Sequence, residues 1–186
     1  MARRAPVVTR EQVSEEHKAA YDEVTKIRGQ APVVGPSSVL IYSPEMAVLG
    51  NRLSEHIRTH STLSEKQKRL AALIGARSMD CQYIWVAQAA ASRRIGISDA
   101  LVDALREKTA LPDLPPDEAA IVNYALELTS TNHVTQATFD AAVAQLGVRG
   151  LAEFTTYMGY FRLMAMCTNA FEVDLPENIT EPLLPA

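Results

Sequence analysis

The chain has little of what marks a specialised protein. Its only cysteines, Cys81 and Cys167, stand 86 positions apart and match neither a disulfide framework nor a zinc-site spacing, so reduced thiols are expected. There is no strong excess of one charge, since 18 Lys and Arg face 22 Asp and Glu for a formal net charge of −4. That balance removes the electrostatic reason to expect nucleic acid or an anionic membrane as partner. Arg3 and Arg4 are followed only by Ala5, Pro6, Val7 and Val8 before the charged Arg10 and Glu11, so neither a signal-peptide core nor a membrane span can be drawn. A cytoplasmic location follows by default. No apolar run alternates strongly enough to mark a strand, and no fixed-period repeat or low-complexity tract is evident.

What is present is helix after helix with recognisable ends, which predicts an all-α class and, at 186 residues, one domain spanning residues 1–186. Thr9 with Gln12 three positions later has the capping-box form, and Val13, Ala20, Tyr21, Val24 and Ile27 then recur at helical spacing as far as Gly29. Residues 29–38 hold two Pro and two Gly and read as a loop, which can cover a pocket, reach a neighbour or stay a solvated linker. Ser43 followed by Pro44 starts a helix expected to bury Met46, Leu49, Gly50, Leu53 and Ile57 and to end near His60. Ser64 and Gln67 repeat the capping box; Leu70, Ala71, Leu73 and Ile74 form the next apolar face, with Lys66, Lys68 and Arg69 left largely to solvent. Asp80 is placed to cap the following helix, Gly96 to end it and Ser98 to cap a short helix carrying Leu101, Val102 and Leu105.

Three prolines between Leu111 and Glu118 make a stiff connector. Beyond it, helices are expected over about 117–130, over 135–146 from a Thr135 cap, and over about 150–171 before a Pro-rich tail. The last of these carries Tyr157, Met158, Tyr160, Phe161, Met164, Met166, Cys167, Asn169 and Phe171, apolar on nearly every side. Such a helix must be buried all round, which favours a subunit interface and a homo-oligomer.

Residues 80–96, Asp-Cys-Gln-Tyr-Ile-Trp-Val-Ala-Gln-Ala-Ala-Ala-Ser-Arg-Arg-Ile-Gly, carry the functional signal. On a helix Cys81, Ile84, Trp85 and Gln88 share one stripe. With the lead-in Ser43-Pro44-Glu45-Met46, the helix Leu63 to Leu70 and the Gly96-Ile97-Ser98 stop, this order resembles the carboxymuconolactone decarboxylase and alkylhydroperoxidase D-like superfamily. In that family a Cys or small residue opens the helix, an acid or second Cys stands at the place of Ile84, and a His at the place of Gln88. Neither acid nor His is present here. The resemblance implies an alkylhydroperoxidase D-like helical bundle, trimers or hexamers, no cofactor or metal, and a small-molecule substrate. The activity it implies is decarboxylation or isomerisation of a small lactone or carboxylate, or thiol redox work where a Cys pair exists.

Residue by residue, Cys81 is either a thiolate favoured by a helix N-terminus or a small buried apolar residue, and without a Cys at 84 it has no resolving partner. Gln88 can orient a ligand carbonyl or carboxylate but cannot shuttle protons; equally it can close a buried hydrogen-bond network. Ile84 removes a carboxylate and suits a less polar substrate, while Tyr83 and Trp85 either pack or form a pocket wall. A replacement proton carrier is sought first among histidines, where His56 and His60 stand at i and i+4 on one face, although Arg52 on the same side makes a solvated charged surface the favoured reading. Two His are a weak case for a metal. By resemblance Tyr160 and Asn169 can bring a hydroxyl and an amide to the pocket, and Arg77 and Arg162 are possible carboxylate clamps by their guanidinium geometry. Three functions stay open: a non-redox lyase-like or isomerase-like enzyme, a non-catalytic ligand-binding or scaffold relative, and a single-cysteine peroxidase at Cys81.

Overall fold

A computed structural model describes residues 3–185. Among them every regular element is helical: α1 (Lys18–Arg28), α2 (Ser37–Leu40), α3 (Pro44–His60), α4 (Glu65–Ser78), α5 (Gln82–Arg94), α6 (Asp99–Glu107), α7 (Pro116–Thr131) and α8 (Gln136–Ala170). No helix is long and apolar enough to cross a membrane.

The starts of α4, α6 and α8 are made by the side chains expected to cap them. The Gln67 and Leu101 N–H groups donate to Ser64 Oγ and Ser98 Oγ, each at 3.3 Å, and the Thr138 N–H donates to Thr135 Oγ1 at 3.4 Å. The Thr9 capping box also forms, with Gln12 Oε1 accepting from the Thr9 N–H at 2.9 Å. It opens only two short 3-10 turns, however, and the α-helix itself waits until Lys18. Helical bonding in α8 is interrupted near the expected boundary, because Gly147 (φ 66°, ψ 167°) takes a backbone conformation open to glycine and hostile to other residues.

The centre of the molecule is α4, whose residues Leu70 to Arg77 are all buried. It lies so close to α8 that a Cβ on Gly75 would stand 2.8 Å from the Met158 carbonyl oxygen and 3.2 Å from Phe161 Cβ. One core gathers Leu70, Leu73, Ile74, Trp85, Leu101, Val122, Phe154 and Met158 around this contact. A second, with Tyr21, Val24, Leu40, Ile41, Ala47, Val48, Cys81, Ile84 and Met164, packs α1 and α3 onto the start of α5 and the end of α8. Tyr160 and Phe161 touch both.

Two burial expectations need correction. The inner face of α3 is Ala47, Val48, Asn51 and Ile57, whereas Met46, Leu49 and Leu53 are 54%, 66% and 42% exposed. Small residues win that face because they let α3 approach α1 closely. Likewise α8 is not buried all round within the chain, as Leu163 and Met166 are 49% and 60% exposed. The chain thus presents exposed apolar residues on both α3 and α8.

The cations expected in solvent are also engaged. Lys66 donates at 2.7 Å to Glu118, which is itself buried in α7, and Lys68 donates to the Arg58 carbonyl at 2.8 Å. The tail folds back over α5, where Leu184 is buried and its backbone exchanges two hydrogen bonds with the Gln82 amide at 3.0 and 2.8 Å.

Gly75→Ala is expected to destabilise the fold by about 1–3 kcal/mol, since the new methyl meets backbone rather than a movable side-chain end. Leu184→Ala should cost about 2–3 kcal/mol by emptying a buried leucine site. Equilibrium urea unfolding measures both, and a Gly75→Ala protein as stable as wild type would contradict the close α4–α8 contact.

Candidate functional site

α5 begins differently from the expected pattern. Its N-cap is Cys81, not Asp80. Asp80 takes a left-handed conformation (φ 45°) and its carboxylate pairs with Arg77 and with Lys108 Nζ at 3.2 Å, so it holds the α4–α5 turn instead of capping the helix. Arg77 in turn donates through Nε to the Leu105 and Arg106 carbonyls at 3.1 and 3.0 Å. Its Nε and Nη1 are therefore engaged in tying α4 to the end of α6 and to the α4–α5 turn.

The Cys81 side chain is fully buried in the second core. Burial pushes its thiol pKa up, over the opposing pull of the Ile84 and Tyr83 N–H groups and the Thr168 hydroxyl. The half-buried Cys167 thiol is pushed up by burial as well. Neither sits in the electropositive, accessible surroundings that make a reactive thiolate.

Gln88 is held. Arg69 Nη1 donates to Gln88 Oε1 at 3.1 Å, and Arg69 Nε donates to Glu65 Oε1 at 3.0 Å, giving a relay Glu65–Arg69–Gln88 between α4 and α5. Arg69 and Glu65 were not among the residues singled out from the sequence; the one available signal is their i, i+4 spacing on α4, which says nothing of the partner on α5. A small cavity of about 20 Å³ adjoins this relay, lined by Arg58, Glu65, Lys68, Arg69, Ala72 and Tyr157.

The other candidates scatter. Ile84 is buried in the second core, and Trp85 is buried in the first with its Nε1 donating to the Pro182 carbonyl at 3.3 Å, so Trp85 anchors the tail. The expected 29–38 loop ends early, because Ser37 and Ser38 already belong to α2; Tyr83 lies under the loop between α1 and α2, since a Cβ on Gly35 would stand 2.8 Å from its hydroxyl. Tyr160 is half-buried between the cores and stacks on Tyr157, ring centroids 6.4 Å apart. Asn169 is exposed and donates to the Met79 carbonyl at 2.8 Å. His56 and His60 stack on each other on the exposed side of α3, centroids 5.3 Å apart. Among the described residues no cluster of three His, Cys, Asp or Glu side chains is placed to hold a metal ion.

The larger cavities lie elsewhere. One of about 470 Å³ opens between α4, α6 and α7, lined by Ile74, Arg77, Leu105, Lys108, Leu126 and Ser130 among others. One of about 300 Å³ lies between the N-terminal turns and the start of α3, against Val13, His17 and Tyr42. Neither includes Cys81, Ile84, Trp85 or Gln88.

No family sequence model matches the chain, and no curated protein sequence matches it either. Solved structures do. The alkylhydroperoxidase AhpD core of an uncharacterized peroxidase-related protein from Ralstonia eutropha JMP134 superposes with a TM-score of 0.71 at 18% identity, covering 94% of this chain and 93% of the other. The debrominase Bmp8 gives 0.68 at 16% identity over 91% and 90%. A variant of it, solved in complex with 2,3,4-tribromopyrrole, gives 0.68 at 15% over 92% and 91%. The chain has the AhpD-like all-helical fold.

The raised Cys81 pKa has a pH consequence. A thiol whose folded pKa exceeds its unfolded value stabilises the fold below the unfolded pKa and loses that contribution as pH rises towards the folded one. Stability should therefore fall on the alkaline side, above the ordinary thiol range of about 8.5, and the fall should shrink in Cys81→Ala. Denaturation midpoints collected from neutral to alkaline pH on both proteins test this, with identical slopes counting against it.

Proposed function

We propose that this protein acts on a small organic molecule without redox chemistry, moving a proton at a rearranged polar site on the α4–α5 face. The observation that carries the reading is the pairing of a deeply buried Cys81, whose thiol pKa burial raises, with a Glu65–Arg69–Gln88 relay. The first disfavours the accessible thiolate that peroxide chemistry needs; the second offers a carboxylate, a fixed cation and an amide together. In this reading Glu65 carries the proton, Arg69 orients it and steadies developing negative charge, and Gln88 holds Arg69 by accepting one of its N–H groups. The similarity to a debrominase solved with a brominated pyrrole supports a small, largely apolar substrate. Lactones, small carboxylates and aromatic-derived compounds are the substrate classes to try.

The site is completed by assembly in this proposal. The exposed residues of α3 (Met46, Leu49, Leu53) and α8 (Leu163, Met166) meet their counterparts on neighbouring copies. Static light scattering should accordingly give a mass of a trimer or hexamer of the 20.3 kDa chain. A clean monomer at micromolar concentration removes the shared site.

Turnover is read by proton NMR as solvent deuterium entering C–H positions of a panel of unsaturated lactones and small acids. Glu65→Gln should lower the rate by roughly 10²–10⁴ with the fold intact, and Gln88→Ala should have a smaller effect by freeing Arg69. If no compound exchanges but several bind, the non-catalytic ligand-binding reading takes precedence. If peroxide is consumed with a dithiol reductant and Cys81→Ser abolishes it, the redox reading does.

A further inference from the structure

The cavity of about 470 Å³ between α4, α6 and α7 arises from the way three helices end. α6 stops because Lys108 turns left-handed (φ 54°), and the chain then crosses to α7 through a connector stiffened by Pro112, Pro115 and Pro116. Leu111 on that connector packs against the first core and joins Ile74, Ala104, Leu105 and Leu126 as the apolar wall. The volume falls in the range of roughly 300–1,000 Å³ that small-molecule sites occupy. The cavity shares no lining residue with the smaller one beside Arg69.

The polar part of the wall restricts what such a molecule can be. Its hydroxyls are turned back on their own helices, since Ser78, Thr129 and Ser130 donate to the Gly75, Ala125 and Leu126 carbonyls at 2.8, 2.7 and 2.7 Å. Glu127 accepts the Thr135 N–H at 2.8 Å, and Arg77 and Lys108 share Asp80. The two cations are thus balanced by two carboxylates. An anion entering here would meet Asp80, Glu127 and the negative ends of α4, α6 and α7, while a cation would meet Arg77 and Lys108. Neither would recover the hydration it lost, so an uncharged molecule fits best.

One donor is left over. Arg77 is only 7% exposed, and its Nε and Nη1 are taken up by the α6 carbonyls and Asp80. Its Nη2 has no acceptor among the described residues and yet is not one of the side-chain atoms sealed from solvent. Because Arg77 lines the cavity, the opening this nitrogen meets is the cavity itself.

We propose that the cavity between α4, α6 and α7 binds a small uncharged carbonyl compound. Its ring or chain lies on Ile74, Leu105, Leu111 and Leu126, and its oxygen accepts from Arg77 Nη2. The site is separate from the Glu65–Arg69–Gln88 relay, and its readout is binding alone, so it and proton transfer at Glu65 can each fail without the other.

The test uses the full chain carrying ¹³C in its isoleucine δ-methyl groups, with the Ile74 resonance identified by its loss in Ile74→Val. Acetophenone is the probe and sodium benzoate its charged counterpart. The Ile74 methyl is expected to move with acetophenone and not with benzoate, while that of Ile84, in the second core, stays fixed. Leu126→Trp, which fills the cavity with an indole, should abolish the shift. Infrared spectra of acetophenone enriched with ¹³C at its carbonyl read the hydrogen bond, and the stretch of the bound probe should lie below its position in cyclohexane.

The proposal is overturned if the Ile74 methyl stays fixed up to acetophenone concentrations on the order of tens of millimolar, or if benzoate moves it equally. It is overturned as well if the Ile84 methyl moves as far, if folded Leu126→Trp binds as wild type does, or if the bound carbonyl stretches as it does in cyclohexane. Should Leu126→Trp fail to fold, the acetophenone and benzoate titrations and the infrared spectrum of the wild-type protein decide the matter by themselves.

Discussion

The close passage of α4 across α8 at Gly75 governs the rest of the molecule. A helix that approaches another to backbone contact is enclosed along its length, and here that encloses Leu70 to Arg77. One member of that stretch is an arginine, and a buried guanidinium must find acceptors. Arg77 finds them on the carbonyls that end α6 and on Asp80. Asp80 is thereby held in a left-handed turn, and the turn fixes where Cys81 starts α5. A packing constraint on one glycine reaches the candidate site through four residues.

Much of this was legible in the sequence where the physics is local. Capping side chains act within three or four residues, so Ser64, Ser98 and Thr135 announced their helices, and the break expected between 146 and 150 falls at Gly147. The order of helices pointed to the AhpD-like fold that the structural comparisons bear out. What was hidden lies in choices between distant partners. On α3 the apolar residues occupy both sides, and periodicity alone could not say that Ala47 and Val48 would turn inward while Leu49 and Leu53 turned out. The destinations of Lys66, Arg69 and Arg77 on other helices were equally closed to inspection, because Glu118, the Gln88 amide and the Leu105 carbonyl are distant in sequence. The stripe Cys81, Ile84, Trp85 and Gln88 does share a helix, but the helix is wedged between two cores and its residues divide among core, tail and polar relay.

Two polar arrangements consequently flank α5. At Gln88, carboxylate, guanidinium and amide are mutually satisfied. At Tyr83, the phenol lies against the loop between α1 and α2 at Gly35.

The docking of the tail has a consequence for the order of events during synthesis. Gln82 and Trp85 receive partners at Leu184 and Pro182, about a hundred positions further along the chain. A nascent chain emerging in order will have made α1 to α7 before those partners exist. Until they arrive, the amide of Gln82 and the indole N–H of Trp85 stay open to water on a helix whose other side is already packed. The start of α5 is thus among the last parts to mature, and the only tryptophan of the chain sits where that final closure can be seen by its emission.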